Sequence, residues 1–135
     1  MKKQHLHKQL PFLLAGIMPW YHWPKKNSVS SAIDYGGYGE NLRSQGLGSR
    51  YVSKPYDTFH TYGIEWNENE HVFYIDGREI ARSFFGGVCR NELYLLLSVE
   101  HEFGGWAGDI RKNKSGEMTD FVVDYVRVYQ YKELL

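Results

Sequence analysis

Residues Thr58 to Phe84 read TFHTYGIEWNENEHVFYIDGREIARSF, and this stretch decides the fold class. His60, Tyr62, Ile64 and Trp66 alternate with Thr61, Gly63 and Glu65, the two-residue period of a strand with two distinct faces. NENE then turns the chain, and HVFYIDG returns as the second arm of a hairpin that ends on the turn dipeptide Asp76-Gly77. REIARSF is expected to follow as a third strand.

Working outward, NSVSSAIDYGGYG (27–39) runs from β-branched and small residues into a glycine-rich turn. The polar segment ENLRSQGLGSRYVSKP (40–55) has no helical period and reads as a long loop. ELYLLLSVE (92–100) is apolar on both faces until its end, as expected of a strand buried between two layers. HEFGGWAGDIRKNKSGEMT (101–119) is a glycine-rich loop. DFVVDYVRVYQYK (120–132) reads as a long strand, with Phe121, Val123, Tyr125 and Tyr129 on one side and Val122, Val126 and Val128 on the other. Six or seven antiparallel strands indicate an all-β sandwich or barrel-like sheet. The length, 135 residues, suits one domain.

Composition agrees. Eleven Tyr, seven Phe, four Trp and fourteen Gly suit a sheet protein with tight turns. The net charge of zero hides an asymmetry: no carboxylate precedes Asp34, whereas the chain from Asp34 onward has sixteen acids against eleven Lys plus Arg. The body is therefore mildly acidic, which argues against nucleic acid as a partner. MKKQHLHKQ followed by LPFLLAGIM has the outline of a leader's basic and apolar regions, but no small-x-small cleavage signal follows. The apolar run is too short for a membrane span, for which about twenty residues are needed. Residues 10–23 are expected to form an irregular or helical piece over an uncovered sheet face. The lone Cys89 reads as a small buried hydrophobe.

No G-x-G-x-x-G, P-loop, H-E-x-x-H or G-x-S-x-G occurs, so nucleotide, zinc-protease and serine-hydrolase chemistry lack sequence support. Aromatic and carboxylate side chains on a sheet remain. Flat rings bounded by hydrogen-bonding groups suit sugars, whose C–H faces are apolar and whose rims are hydroxyls. A saccharide site is the first functional expectation, set against the general tendency of strand aromatics to be core.

Three stretches, FHTYGIEWNENEHVFYIDG (59–77), LYLLLSVE with GWAG (93–108) and FVVDYVRVYQY (121–131), resemble the C-terminal half of a family 16 glycoside hydrolase, the group of laminarinases, lichenases and related endo-β-glucanases. The resemblance covers about residues 27 to 130, so residues 1–27 form a segment without family likeness and 28–135 the family-like part. It implies a partial concanavalin-like jelly-roll β-sandwich with a β-glucan-type polysaccharide lying across its concave sheet, in an extracellular or periplasmic setting. It also implies retaining hydrolysis, in which one carboxylate attacks the anomeric carbon and another, about 5 to 5.5 Å away, protonates the leaving oxygen.

The family's E-x-D-x-x-E strand is expected near residues 15–20. Those residues are AGIMPW, and none ionises. By the resemblance, Asp34 and Tyr35 in AIDYGGYG, Ser98 and Glu100 in LSVE, and Trp106 in GGWAG are substrate-binding positions, while Tyr62 and Trp66 pack between the sheets. Asp34 stands where family members often carry His or an aromatic, and on its own it also reads as a turn-initiating residue. Asp124 matches a position that helps hold a structural calcium in many members, although one carboxylate is far short of the six to eight oxygens calcium takes; no other cofactor is implied. Glu68 and Glu70 are expected to face solvent in the hairpin turn.

Three functions are compatible with these residues. The first is a truncated or degenerate family 16 enzyme that keeps part of the glycan cleft without hydrolysing. The second is a carbohydrate-binding or lectin-like sandwich, and the third an active β-glucanase that relies on a complementing chain or on Glu100 and Glu102. Half a sandwich leaves open sheet edges, so self-association is also expected.

Overall fold

The computed structural model describes residues 13–20 (backbone), 27–37, 39–55, 57–90, 93–98, 111 and 120–131. The described residues contain six strands and no α-helix, and each strand pairing is antiparallel. The strands are β1 (Leu13–Trp20), β2 (Ser28–Tyr35), β3 (Arg43–Tyr51), β4 (Tyr62–Trp66), β5 (His71–Ile75) and β6 (Arg78–Ser83). They make two three-stranded sheets, β1-β2-β3 and β4-β5-β6, an arrangement consistent with a partial jelly-roll sandwich.

The β4–β5–β6 sheet follows the sequence pattern. Tyr62 pairs with Ile75 and Trp66 with His71, and β5 turns into β6 through Asp76 and Gly77, whose φ angles are 51° and 73°. Positive φ at both central positions is what a type I′ hairpin turn needs to match strand twist.

Between the sheets, Ile33 of β2 and Phe73 of β5 are fully buried and cluster with Cys89, with Tyr35, Leu47 and Phe85 packed around them. Cys89 is thus the buried hydrophobe expected of it. Val29 of β2, Val52 and Ile75 of β5 form a second cluster, and Ile80 of β6 packs against both. Alternation on β2 sends Val29, Ser31, Ile33 and Tyr35 to this core and leaves Ser30, Ala32 and Asp34 on the opposite face.

Five expectations need correction. Residues 13–20 are a strand, because an antiparallel ladder running from Leu13–Tyr35 to Trp20–Ser28 satisfies their backbone; Pro19 is tolerated since β1 is an edge. The segment 40–55 is not all loop: β3 pairs with β2 from Tyr35–Arg43 to Ser28–Tyr51, although its side chains are mostly exposed. Residues 93–98 and 120–131 lack strand structure, and their apolar side chains, Leu95 at 62% and Val128 at 87% exposure among them, are open. Apolar content supplies the capacity to pair but does not by itself make a strand. Tyr62 and Trp66 share the core-side face of β4 with Ile64, yet all three are 40–41% exposed because β4 lies at the edge of its sheet. Glu68 is exposed as expected, but Glu70 is half-buried and ion-paired to Arg82 at 2.8 Å.

The chain divides into two compact units, residues 1–95 and 96–135. All six strands belong to the first. In the second, the Arg127 guanidinium lies 4.4 Å from the centre of the Tyr125 ring, a cation–π contact. Among the described residues no helix is long and apolar enough to cross a membrane.

Candidate functional site

On β2 and β3, the sheet face that looks away from the core carries several small polar side chains. Register sets Asp34 of β2 opposite Ser44 of β3 and Ser30 opposite Ser49. The Ser44 hydroxyl donates to Asp34 Oδ1, and the hydroxyls of Ser30 and Ser49 bond to each other at 2.7 Å. Asp34 is therefore held by a cross-strand hydrogen bond rather than initiating a turn. Gly36 and Gly37 make the turn that follows; at Gly36, with φ 92°, an added Cβ would collide with the Asn41 carbonyl oxygen.

This face offers hydroxyls and one carboxylate, a set that can hydrogen-bond sugar hydroxyls. It does not offer paired-carboxylate chemistry. Asp34 is the one acid in β1, β2 and β3 together, and β1, which occupies the expected place of the catalytic strand, reads LLAGIMPW.

The sequence-predicted positions do not all come together. Tyr35 follows Asp34 on the strand and so points the other way: its ring meets Phe85 edge-on, centroids 5.4 Å apart, on the core side. Ser98 is exposed in a segment without strand structure. Glu100 and Trp106 lie outside the described residues. Asp124 is exposed, and no group of three or more His, Cys, Asp or Glu side chains that could hold a metal gathers among the described residues. A calcium shell needs more oxygens than Asp124 supplies, so these residues do not fit that ion.

A second polar constellation went unread in the sequence. His60 Nδ1 lies 2.8 Å from Asp76 Oδ2, while His60 Nε2 lies 2.9 Å from the Ser53 carbonyl oxygen and 3.0 Å from Thr58 Oγ1. The Thr61 backbone N–H donates to Asp76 Oδ1 at 3.0 Å. Asp, His and a hydroxyl in a row invite comparison with a nucleophilic triad. The bonding rules it out: Thr58 Oγ1 donates to the Lys54 carbonyl, and both imidazole nitrogens face acceptors. That arrangement suits the doubly protonated ring, which has no lone pair for general-base work. The Asp76 hydrogen bond raises the His60 pKa, and His60 in turn lowers that of Asp76. The pair clips the loop before β4 to the end of β5. The signal was available in principle, since the β4–β5 register extended by one pair sets Thr61 opposite Asp76.

On the outer side of β4–β5, Tyr74 donates to Glu65 Oε2 and Asn67 Nδ2 to Glu65 Oε1, both at 3.0 Å. The Glu65 carboxylate beside it raises the Tyr74 pKa. Asn67 Oδ1 accepts from the backbone N–H groups of Asn69 and Glu70, which closes the NENE turn. These contacts account for the hairpin's polar residues structurally.

Comparison with known proteins agrees with this geometry. The model of the glycosyl hydrolases family 16 matches residues 25–127. Two curated relatives from Rhizobium meliloti (strain 1021) are similar: the endo-1,3-1,4-beta-glycanase ExsH, 34% identical over 71 residues, and the endo-1,3-1,4-beta-glycanase EglC, 35% identical over 71 residues. Each match covers 53% of this chain and 15% of the relative, so the aligned region is a small part of those proteins. No solved structure matches the chain. With three-quarters of its length accounted for by the family model and an all-β antiparallel architecture beneath it, the chain belongs to the glycosyl hydrolases family 16.

Proposed function

We propose that this chain is a fragment-like or degenerate member of its family that engages a β-glucan-type polysaccharide and does not hydrolyse it by itself. The observation that carries this reading is β1: a strand beside Asp34-bearing β2, in the expected place of the catalytic acids, with eight residues none of which ionises. Retaining hydrolysis needs two carboxylates about 5 to 5.5 Å apart. The three strands here offer Asp34 alone.

Binding has more support than chemistry. Asp34, Ser44, Ser30 and Ser49 make a rim of acceptors and donors suited to sugar hydroxyls. By the family likeness alone, Ser98, Glu100 and Trp106 are separately proposed as sugar-contacting residues. The relatives' names, both endo-1,3-1,4-beta-glycanases, favour a β-glucan over other glycans.

The test is to incubate the purified chain with laminarin and with mixed-linkage β-glucan, following binding by calorimetry and new reducing ends by colorimetry. Binding without new reducing ends is expected. Reproducible release that disappears in Glu100→Gln would overturn the non-catalytic reading, and absence of binding to both polymers would overturn the glycan reading.

A further inference from the structure

The geometry points to the outer edge of β4 as a self-pairing surface, where a second copy of this chain adds its own β4 antiparallel about a two-fold axis through Ile64. Two inward bonds fix which backbone groups face out. Asp76 N–H donates to the Thr61 carbonyl at 2.9 Å, and Asn67 N–H donates to the Glu70 carbonyl at 3.2 Å. Thr61 and Asn67, and by alternation Gly63 and Glu65, therefore turn their backbone groups toward β5. Tyr62, Ile64 and Trp66 direct theirs away from the sheet, and among the described residues no strand pairs on that side.

The other sheet edges carry basic residues, a proline or a register irregularity, whereas β4, with Glu65 as its one charge, carries none of these. On β3 there are Arg43 and Arg50, Gly48 with φ 88° and a register irregularity between Ser30 and Ala32 of its partner. On β6 there are Arg78 and Arg82 and an irregularity opposite Phe73 and Tyr74, and on β1 there is Pro19. By contrast β4, YGIEW, has no Lys, Arg or Pro, and its five pairs with β5 run without a shift.

The strand is also complementary to itself. With Ile64 opposite its own copy, Tyr62 meets Trp66 of the second copy and Gly63 meets Glu65. Every outward N–H of the three even residues then finds an outward carbonyl. The side chains of Tyr62, Ile64 and Trp66, each 40–41% exposed, join their counterparts in one apolar row on the core-side face. Each Glu65 carboxylate faces a glycine. Moving the axis to Glu65 would set two carboxylates directly opposite each other, and moving it to Gly63 would pull Trp66 beyond the strand against His60. Charge and register therefore select Ile64.

A pairing this short makes a small interface, so sedimentation velocity on the full chain between about 1 and about 100 μM is the appropriate range. A monomer–dimer equilibrium is expected. Ile64→Lys and Ile64→Glu should each be monomeric with unchanged far-UV circular dichroism, and an equal mixture of the two should dimerise again. Ile64→Cys, which keeps an apolar side chain should the charged variants misfold, should form a covalent dimer on mild oxidation, whereas Thr58→Cys should not. The proposal is overturned by a chain that stays monomeric throughout, by association that Ile64→Lys leaves unchanged, or by failure of Ile64→Cys to cross-link.

Discussion

His60 Nδ1 stands 2.8 Å from Asp76 Oδ2 and joins the residue that leads into β4 to the turn that ends β5. The pair links stability to pH, and the sign follows from the two shifts. The His60 pKa is raised above its ordinary 6.5, so its contribution is complete below that value and is lost as pH rises through the folded-state pKa. The Asp76 pKa is lowered from its ordinary 3.8, so its contribution is complete above that value and is lost as pH falls through the folded-state pKa. The difference in Tm between the native chain and His60→Gln should therefore be largest between about pH 4 and 6.5 and shrink above neutrality. Because the Asp76 side chain is half exposed, the clip is worth about 1 kcal/mol. A difference that grows toward pH 9 would contradict the imidazolium assignment.

His71 behaves in the opposite sense. The residue is 2% exposed, and among the described residues neither ring nitrogen has a hydrogen-bond partner of good geometry. Burial pushes its pKa below 6.5, opposed only in part by the backbone of Ser83 across the ladder. Below pH 6.5 the unfolded chain takes up a proton that the folded chain resists, so His71 destabilises the fold as pH falls. His71→Leu should raise stability by about 1–2 kcal/mol, with the gain greater at pH 5 than at pH 8 in urea titrations.

How far each element was legible follows from what holds it. The β4–β5–β6 sheet could be read directly, because the alternation of Tyr62, Ile64 and Trp66 and the Asp76-Gly77 turn are local signals. The strand β3 was not, since Arg43, Ser44, Gly46, Gly48, Ser49 and Arg50 carry neither apolar alternation nor β propensity; its backbone ladder to β2 makes it a strand. For β1, Gly16 and Pro19 hid a strand whose partner is also β2. Residues 93–98 and 120–131 show the converse, strong apolar signals without strand structure. At the site, the lack of carboxylates in β1 could be read from composition alone. The bond from Asp34 to Ser44 could not, because it depends on the register of β3, and that from His60 to Asp76 is legible only by extending the β4–β5 register.

Gly86 sets how closely the chain after β6 approaches β2. Its φ is 75°, and a Cβ built on it would lie 2.5 Å from Tyr35 Cδ1 and 2.6 Å from Cγ. Gly86→Ala must then combine a left-handed backbone, about 1 kcal/mol, with displacement of a ring wedged against Phe85. A loss of about 2–3 kcal/mol in denaturant midpoint stability is expected. At Gly87, with φ 80° but no atom within 4 Å of the added Cβ, alanine should cost only about 1 kcal/mol. Equal losses at the two positions would show that backbone conformation alone matters and that the Tyr35 contact does not.

Asp34 and Tyr35 separate the proposed glycan face from the core. Removing the Asp34 carboxylate deletes the one charged acceptor on the polar face and leaves the apolar clusters intact, so Asp34→Ala should weaken laminarin or mixed-linkage glucan binding about tenfold, the worth of one hydrogen bond to a charged group. Asp34→Asn keeps an acceptor oxygen and should lose less. Ser44→Ala frees the carboxylate from its cross-strand bond and should change affinity by less than Asp34→Ala. Tyr35→Phe, altered on the side facing Phe85 and Ile33, should bind as the native chain does. Calorimetric titrations of the four variants, with Tm recorded for each, check the assignment. If Tyr35→Phe loses affinity while Asp34→Ala does not, the polysaccharide lies elsewhere on the molecule.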